Sequence, residues 1–419
     1  MDSPFDRRDF LKTAGATLGL LLSRHGLGSA QAPASPSPSG PAVRVAVIGL
    51  GTWGRDIVGA LGRTESAQVA ALCDVYEPFL KRAAGSAPKA EAVTDWRAVL
   101  DSTSVDAVVI ATPTHLHREI AVAALQAKKH DYCEAPIAHS IEDARAIAAA
   151  AHAANGVVFQ GGLQGRANPL YRHVLQFVKS GVLGDLAIVN AQWSRKDSWR
   201  RAAPNPDRER TVNWRLDKAT SAGLMGEVSI HHLDLISQYT GARPSAVVGH
   251  GTIAAWRDGR DTSDTACCLV DFGKVRADVR ATLASSFGGS YTVFQGSNSS
   301  LLLKENRGWL IKEADSALLG WEVYARKESV HDETGIAMVA DATKLLQAGK
   351  EPGKDGPLVP EKPALVSAFE SFVGSIRTGA PSACSAADAC AATIAALKAN
   401  EAVVINGRIL IPKSDYAIS

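Results

Sequence analysis

The sequence predicts an α/β chain in two parts, a doubly wound parallel sheet followed by a largely antiparallel sheet of α+β type. Three observations carry this. An apolar, β-branched run at Val43–Ile48 leads directly into glycines at Gly49, Gly51 and Gly54. The first half then alternates apolar runs with helical spacing, the pattern of parallel strands covered on both faces. Beyond Gly184 strand-like runs follow one another closely, as in an antiparallel sheet.

Taken in order, Val43–Ile48 and residues 68–73, 107–111 and 130–134 read as strands, and residues 119–127 as one of the helices between them. A helix over 144–154 and a strand over 157–161 close a first domain at 43–161. Residues 162–419 form the second domain, with strands over 186–193, 245–253, 264–271, 275–284 and 290–295. Helical periodicity returns over 364–376 and 386–400, so the C-terminus is expected to pack back on the first domain.

The run VRVAVIGLGTWG, residues 43–54, is the dinucleotide fingerprint of a Rossmann sheet. Gly49 permits a tight turn and Gly51 lets backbone amides approach a pyrophosphate. Gly54 lets the next helix pack close, so the phosphates meet its positive N-terminus, where Thr52 and Trp53 lie. Asp74 follows the second strand at the distance where a carboxylate accepts from the adenosine ribose. A carboxylate repels a 2′-phosphate, so NAD is favoured, with NADP open through a basic residue elsewhere.

The first residues carry paired Arg7 and Arg8, an apolar run at 14–22 and the small-residue site Ala30-Gln31-Ala32. This resembles a twin-arginine export signal over residues 1–32, followed by a flexible Ala/Pro/Ser/Gly linker at 33–42. The apolar run is far shorter than the ~20 residues that span a bilayer, so no membrane anchor is expected in the mature chain. The signal implies the twin-arginine export machinery as a partner and a periplasmic or secreted enzyme. That route carries folded proteins, so the dinucleotide is expected to be tightly held and restored in each turnover.

About 385 residues remain after the signal, which suits two cores. With 45 basic and 43 acidic residues, nothing points to nucleic acid or an anionic membrane. Among six cysteines, Cys73, Cys133, Cys267 and Cys268 read as buried thiols, while Cys384 and Cys390 leave a disulfide open. No Cys/His metal spacing occurs, and no metal is expected.

The segments AVIGLGTWG, ATPTHLH (111–117), DYCEAP (131–136) and GLMGEVSIHHLDL (223–235) together resemble the glucose-fructose oxidoreductase, inositol dehydrogenase and rhizopine catabolism family, Gfo/Idh/MocA. The resemblance covers nearly all of the mature chain. It implies that Thr112, Pro113 and His117 form a turn beside the nicotinamide, joined by Glu134 and Pro136. The family's Glu-Lys-Pro lysine is replaced by Ala135, which can neither orient a hydroxyl nor move a proton. A Glu361-Lys362-Pro363 triplet lies far from the Rossmann strands. Where the family has an aspartate and then a histidine four residues later, this chain has Glu227 and His231. That spacing places both on one helical face. His231 is the candidate general base and Glu227 its orienting partner, with Lys196 the candidate to replace the lysine. Glu227, His231 and Asp234 also have a spacing that permits a metal, which this chemistry does not need. Gln164, Arg166, Tyr171, Trp214, Arg215, His232 and Asp234 are the expected substrate residues, supplying rings for sugar faces and donors for hydroxyls.

Three functions follow from this reading. The first is a sugar or polyol oxidoreductase. The second is a glycosidase that oxidises C3 transiently, eliminates the aglycone, adds water and returns the hydride. The third is a dinucleotide-binding protein without catalysis. The resemblance also implies a homo-oligomer.

Overall fold

The computed structural model describes residues 40–320, 322, 325–339, 349, 359, 360 and 362–418. The export signal at 1–32, linker residues 33–39 and Glu361 lie outside the described residues. The first sheet is built from β1 (Val43–Ile48), β2 (Ala67–Cys73), β3 (Glu91–Val93), β4 (Ala107–Ile110), β5 (His130–Cys133) and β6 (Phe159–Gly161). Its order is β3-β2-β1-β4-β5-β6 and every pairing is parallel. The order reverses beside β1, which leaves a crevice at the carboxyl ends of β1 and β4. Helices α1 (Thr52–Leu61), α2 (Glu77–Ala84), α3 (Trp96–Asp101), α4 (His117–Gln126) and α5 (Ile141–Ala153) connect the strands. Two starts are fixed by side chains: Asp95 accepts from Arg97 N, and Ser140 accepts from Asp143 N.

After α6 (Pro169–Lys179) comes β7 (Leu186–Ser194). A long connection carrying the short α7 (Glu209–Val212) then reaches α8 (Gly223–Glu227) and α9 (Ile230–Thr240). The second sheet adds β8 (Ala246–Thr252), β9 (Thr265–Phe272), β10 (Val275–Thr282), β11 (Ser290–Gly296), β12 (Ser299–Lys304), β13 (Arg307–Lys312), β14 (Lys327–Val330) and β15 (Glu333–Met338). With β16 (Arg408–Leu410) its order is β14-β15-β13-β12-β11-β7-β10-β9-β8-β16. It is antiparallel except for β7 with β10. Alternation along β9 buries Cys268 and Val270 and exposes Cys267 and Leu269. Cys267 is therefore not the buried thiol expected, because neighbouring residues of a strand face opposite sides. All six cysteines are free thiols, so Cys384 and Cys390 form no disulfide.

Two late helices, α10 (Ala364–Thr378) and α11 (Ala386–Ile405), return to the first sheet. Phe369 and Phe372 of α10 pack on Tyr132 at ring distances of 4.9 and 5.7 Å, within a core that includes Val45 and Val47 of β1. The α11 helix starts at Ser385, whose hydroxyl accepts from Asp388 N, and is buried between α5 and β8. It thus shares one core with both sheets. No helix among the described residues is long and apolar enough to cross a membrane.

Candidate active site

The fingerprint turn leaves β1 at Gly49, whose φ is +94° and whose N–H donates to Cys73 O at 2.8 Å. A Cβ there would lie 2.6 Å from Ala111 O, and one on Gly54 would lie 1.9 Å from Gly49 O. Both glycines are demanded by close backbone approach. Gly51 differs, because a Cβ on it would meet nothing within 4 Å. Open space therefore lies over the start of α1, which has no side-chain cap to use its first amides. Those unspent amides and that space fit a dinucleotide pyrophosphate. Asp74 fixes the turn from below, with Oδ2 accepting from Leu50 N at 2.7 Å and Oδ1 from Tyr76 N at 2.8 Å. Burial pushes its carboxyl up while these amides and Arg208 pull it down.

At the end of β4, Thr112 and Pro113 turn the chain into Thr114. The His117 ring stands behind this turn, with Nε2 2.9 Å from Thr112 O and Nδ1 3.0 Å from Pro136 O. His117 is buried, and burial lowers its pKa to about 4. It does not line the groove as a cofactor contact. Instead it staples the 112–113 turn to the segment at Pro136, whose bond to Ala135 is cis. Glu134 packs beneath Gly162, where burial pushes its carboxyl up to about 8 against the Trp53 indole and the Ala135 amide. Glu134 Oε1 and Thr112 Oγ1 are buried without a hydrogen-bond partner among the described residues. Two orphaned polar atoms at this strand edge fit a bound nicotinamide.

The segment 223–235 is not one helix. The α8 helix ends at Glu227 and α9 begins at Ile230, with Val228 at φ −133°. Ser229 N donates to Leu224 O, a five-residue span that widens the turn and breaks the pattern. Glu227 and His231 thus lie on two helices, not on one helical face. Glu227 is a hub, with Oε1 accepting from Thr114 Oγ1 at 3.2 Å and Ala222 N at 3.1 Å. Its Oε2 accepts from Arg215 Nε at 3.2 Å. Arg215 stacks on Trp214 at 4.4 Å and faces Trp199 at 5.7 Å. The His115 ring lies 6.2 Å from Trp214 and 6.1 Å from His139.

His231 is exposed, and its ring makes no hydrogen bond among the described residues. Desolvation by the protein packed around it lowers its pKa to about 4. The imidazole is therefore neutral at pH 7 and able to accept a proton.

His232 turns the other way. It is buried, with Nδ1 2.9 Å from Thr292 Oγ1 and Nε2 3.3 Å from Ser290 Oγ on β11. Asp234 is buried and bonded to Arg166, with Nη2 2.7 Å from Oδ1, and Arg166 also reaches Asp388 at 3.0 Å. His232, Asp234 and Arg166 are thereby committed to one another's surroundings rather than offered to a substrate. Asp234 and Glu227 are each spent on an arginine, so they form no metal set with His231; among the described residues no group of three such ligands occurs. Gln164 and Tyr171 are half-buried, and Tyr171 O accepts from Tyr239 OH at 2.8 Å. Lys196 is exposed; its amide donates to Ser286 Oγ at 2.8 Å, and it contacts neither Glu227 nor His231. Lys362 pairs with Glu370 at 2.6 Å at the start of α10.

Residues 43–162 match the family described as "Oxidoreductase family, NAD-binding Rossmann fold", and residues 171–302 match the "GFO/IDH/MocA C-terminal domain". The chain belongs to the Gfo/Idh/MocA family of NAD-dependent oxidoreductases. An uncharacterized oxidoreductase of Streptococcus pneumoniae is 25% identical over 321 residues, 75% of this chain and 83% of that protein. A levoglucosan dehydrogenase of Pseudarthrobacter phenanthrenivorans is 30% identical over 164 residues, 39% of each chain. An alpha-N-acetylgalactosaminidase of Shewanella oneidensis is 28% identical over 233 residues, 50% of each. The chain thus spans half or less of these last two relatives. The crystal structure of levoglucosan dehydrogenase with NADH and L-sorbose superposes with a TM-score of 0.71 at 19% identity, covering 89% of this chain and all of that one.

Two members of this Gfo/Idh/MocA site were not singled out from sequence, Thr114 and His115. Thr114 and His115 stand inside the ATPTHLH motif, so their closeness to Thr112 was the available signal. Trp199 stands in the run WSRKDSWRR, residues 193–201, whose aromatics and donors suggest a carbohydrate site, and the folded connection brings it to Arg215.

Proposed function

We propose that this enzyme is an exported sugar or polyol oxidoreductase with a tightly held NAD. The observation that carries the reading is the exposed imidazole of His231, without a hydrogen-bond partner among the described residues and four residues beyond the hub at Glu227. When bound, NAD supplies the hydride acceptor. His231 takes the proton from the substrate hydroxyl at Nδ1 or Nε2 as the carbon is oxidised, and returns it in the reverse direction. Glu227 holds Arg215 and Thr114 in place, so that Arg215 can donate to a neighbouring hydroxyl while Trp214 offers a ring face to the sugar. Lys196, exposed on a flexible stem, orients the substrate hydroxyl in place of the missing lysine.

One observation favours a second reading, a glycosidase that oxidises and re-reduces its substrate within one turnover. Ala135 removes the lysine expected of an ordinary dehydrogenase, and a relative is named as an alpha-N-acetylgalactosaminidase. Such a cycle needs no cofactor exchange. Nitrophenyl glycosides and free sugars, each followed by nicotinamide absorbance, separate the two. A net absorbance change with free sugars supports the first reading, and aglycone release without net NADH supports the second. Silence in both assays sinks both.

Export folded through the twin-arginine route, to the periplasm or beyond, is supported by the RRDFLK run at residues 7–12. Fractionation that leaves the R7K/R8K variant and the parent in the same compartment would refute it. Self-association is supported by Ile188, Val248 and Leu269, exposed on the outer face of the second sheet. Sedimentation as a monomer would count against it.

A further inference from the structure

The connection between β7 and α8 touches both ends of the cofactor groove. At one end Trp214 and Arg215 meet His115 and Glu227. At the other, Arg208 lies over the Tyr76 ring, 4.4 Å from its centroid. Tyr76 follows Asp74 by two residues, at the carboxyl end of β2, where this fold places the adenosine. The connection is anchored at its base. Asn213 Oδ1 accepts from Arg201 N at 2.8 Å, Arg200 Nη2 donates to Asp258 O at 2.5 Å, and the buried Arg260 donates to Ser198 O. Its tip is exposed over residues 204–207.

The Arg208 guanidinium makes no hydrogen bond among the described residues, although its Nε is buried. Its charge is felt by Asp74. A planar cation stacked on an aromatic ring, with donors unspent, at the end of the strand that carries Asp74, matches a phosphorylated ribose with an adenine attached.

We infer that Arg208 and Tyr76 clasp the adenosine diphosphate half of the bound dinucleotide, so that the connection forms a strap which must lift off Tyr76 before the cofactor leaves. The inference rests on the NAD site and is independent of which sugar reaction the enzyme performs. The strap would slow cofactor exchange without touching the reacting carbon.

The test compares three ligands on the full chain stripped of cofactor. NADH carries both halves, ADP-ribose only the adenosine half, and nicotinamide mononucleotide only the other. In R208A, the NADH off-rate and the ADP-ribose Kd should each rise about tenfold, with mononucleotide affinity unchanged within about twofold. R208K, which keeps the charge but loses the planar stack, should fall between R208A and the parent. Y76A should match R208A, and Y76F, which keeps the ring, should match the parent. An R208A off-rate within about twofold of the parent overturns the inference. So does equal weakening of the mononucleotide, which would mark a general disturbance of the groove. Because the Arg208 side chain has no hydrogen-bond partner to orphan among the described residues, the variant should melt with the parent in the cofactor-free state. If it does not, Y76A against Y76F decides the matter with the same ligands.

Discussion

Asp131, on β5, is fully buried with neither carboxyl oxygen hydrogen-bonded among the described residues, and burial holds its pKa well above 3.8. Glu134, three residues on, is pushed by burial from 4.5 to about 8. At low pH both folded and unfolded chains keep these protons, and nothing is lost. As pH rises past about 4 the unfolded carboxyls ionise freely while the folded ones cannot, so the cofactor-free protein should lose stability up to about pH 8. Each unit of separation is worth about 1.4 kcal/mol. Urea midpoints should therefore fall between pH 5 and pH 8, and the D131N/E134Q double variant should flatten the slope. A parent profile that is already flat would contradict the burial argument. For His231 the sign is opposite in effect. A base whose pKa is lowered toward about 4 stays ready through neutral pH, so kcat/KM should show no acid limb at 6.5 and should fall only well below it. H231A should lose roughly 10²- to 10⁴-fold in kcat. A variant that turns over at the parent rate would remove His231 from the chemistry.

At the scale of elements, the three fingerprint glycines make different demands. An alanine at Gly51 fits the cofactor-free turn, since its Cβ meets nothing within 4 Å, yet it fills the space a pyrophosphate needs. G51A should keep its melting temperature and lose NAD affinity by at least about tenfold. G54A, whose Cβ would lie 1.9 Å from Gly49 O, should lose both. Calorimetry with NAD titration separates these outcomes, and a G51A that binds normally would refute the cradle. This turn was readable in the sequence because its steric requirements are local to a dozen residues. The break at Val228 was not, because it depends on one five-residue hydrogen bond from Ser229 that spacing cannot announce. Strands β12 and β13 escaped notice for a related reason. Their turn uses Glu305 and Asn306 at φ 50° and 63° where glycine or an Asn-Gly pair is the usual sign. The site divided along the same line. Glycines and Asp74 answer to backbone geometry, whereas His232 and Arg166 carry the right chemistry but point into other partners.

At the scale of the whole molecule, the two sheets are tied together by the two late helices α10 and α11. The α10 helix supplies Phe369 and Phe372 to one face of the first sheet, and Gln160 Nε2 donates to Ala368 O at 2.9 Å. On the other side, Ile137 N donates to Thr393 Oγ1 of α11 at 3.3 Å. A fragment of residues 43–161 would leave Tyr132 and the Val45–Val47 face open to water. Expressed alone, it should bind a hydrophobic dye and aggregate. Adding residues 362–418 in trans should restore solubility and NAD binding, and a well-behaved lone fragment would show that α10 is dispensable. The helix that seats Phe369 and Phe372 also sets a timetable. During synthesis the nucleotide-binding half emerges first, but its hydrophobic flank stays bare until more than two hundred further residues have left the ribosome. The newborn chain needs shelter for that flank over the whole interval.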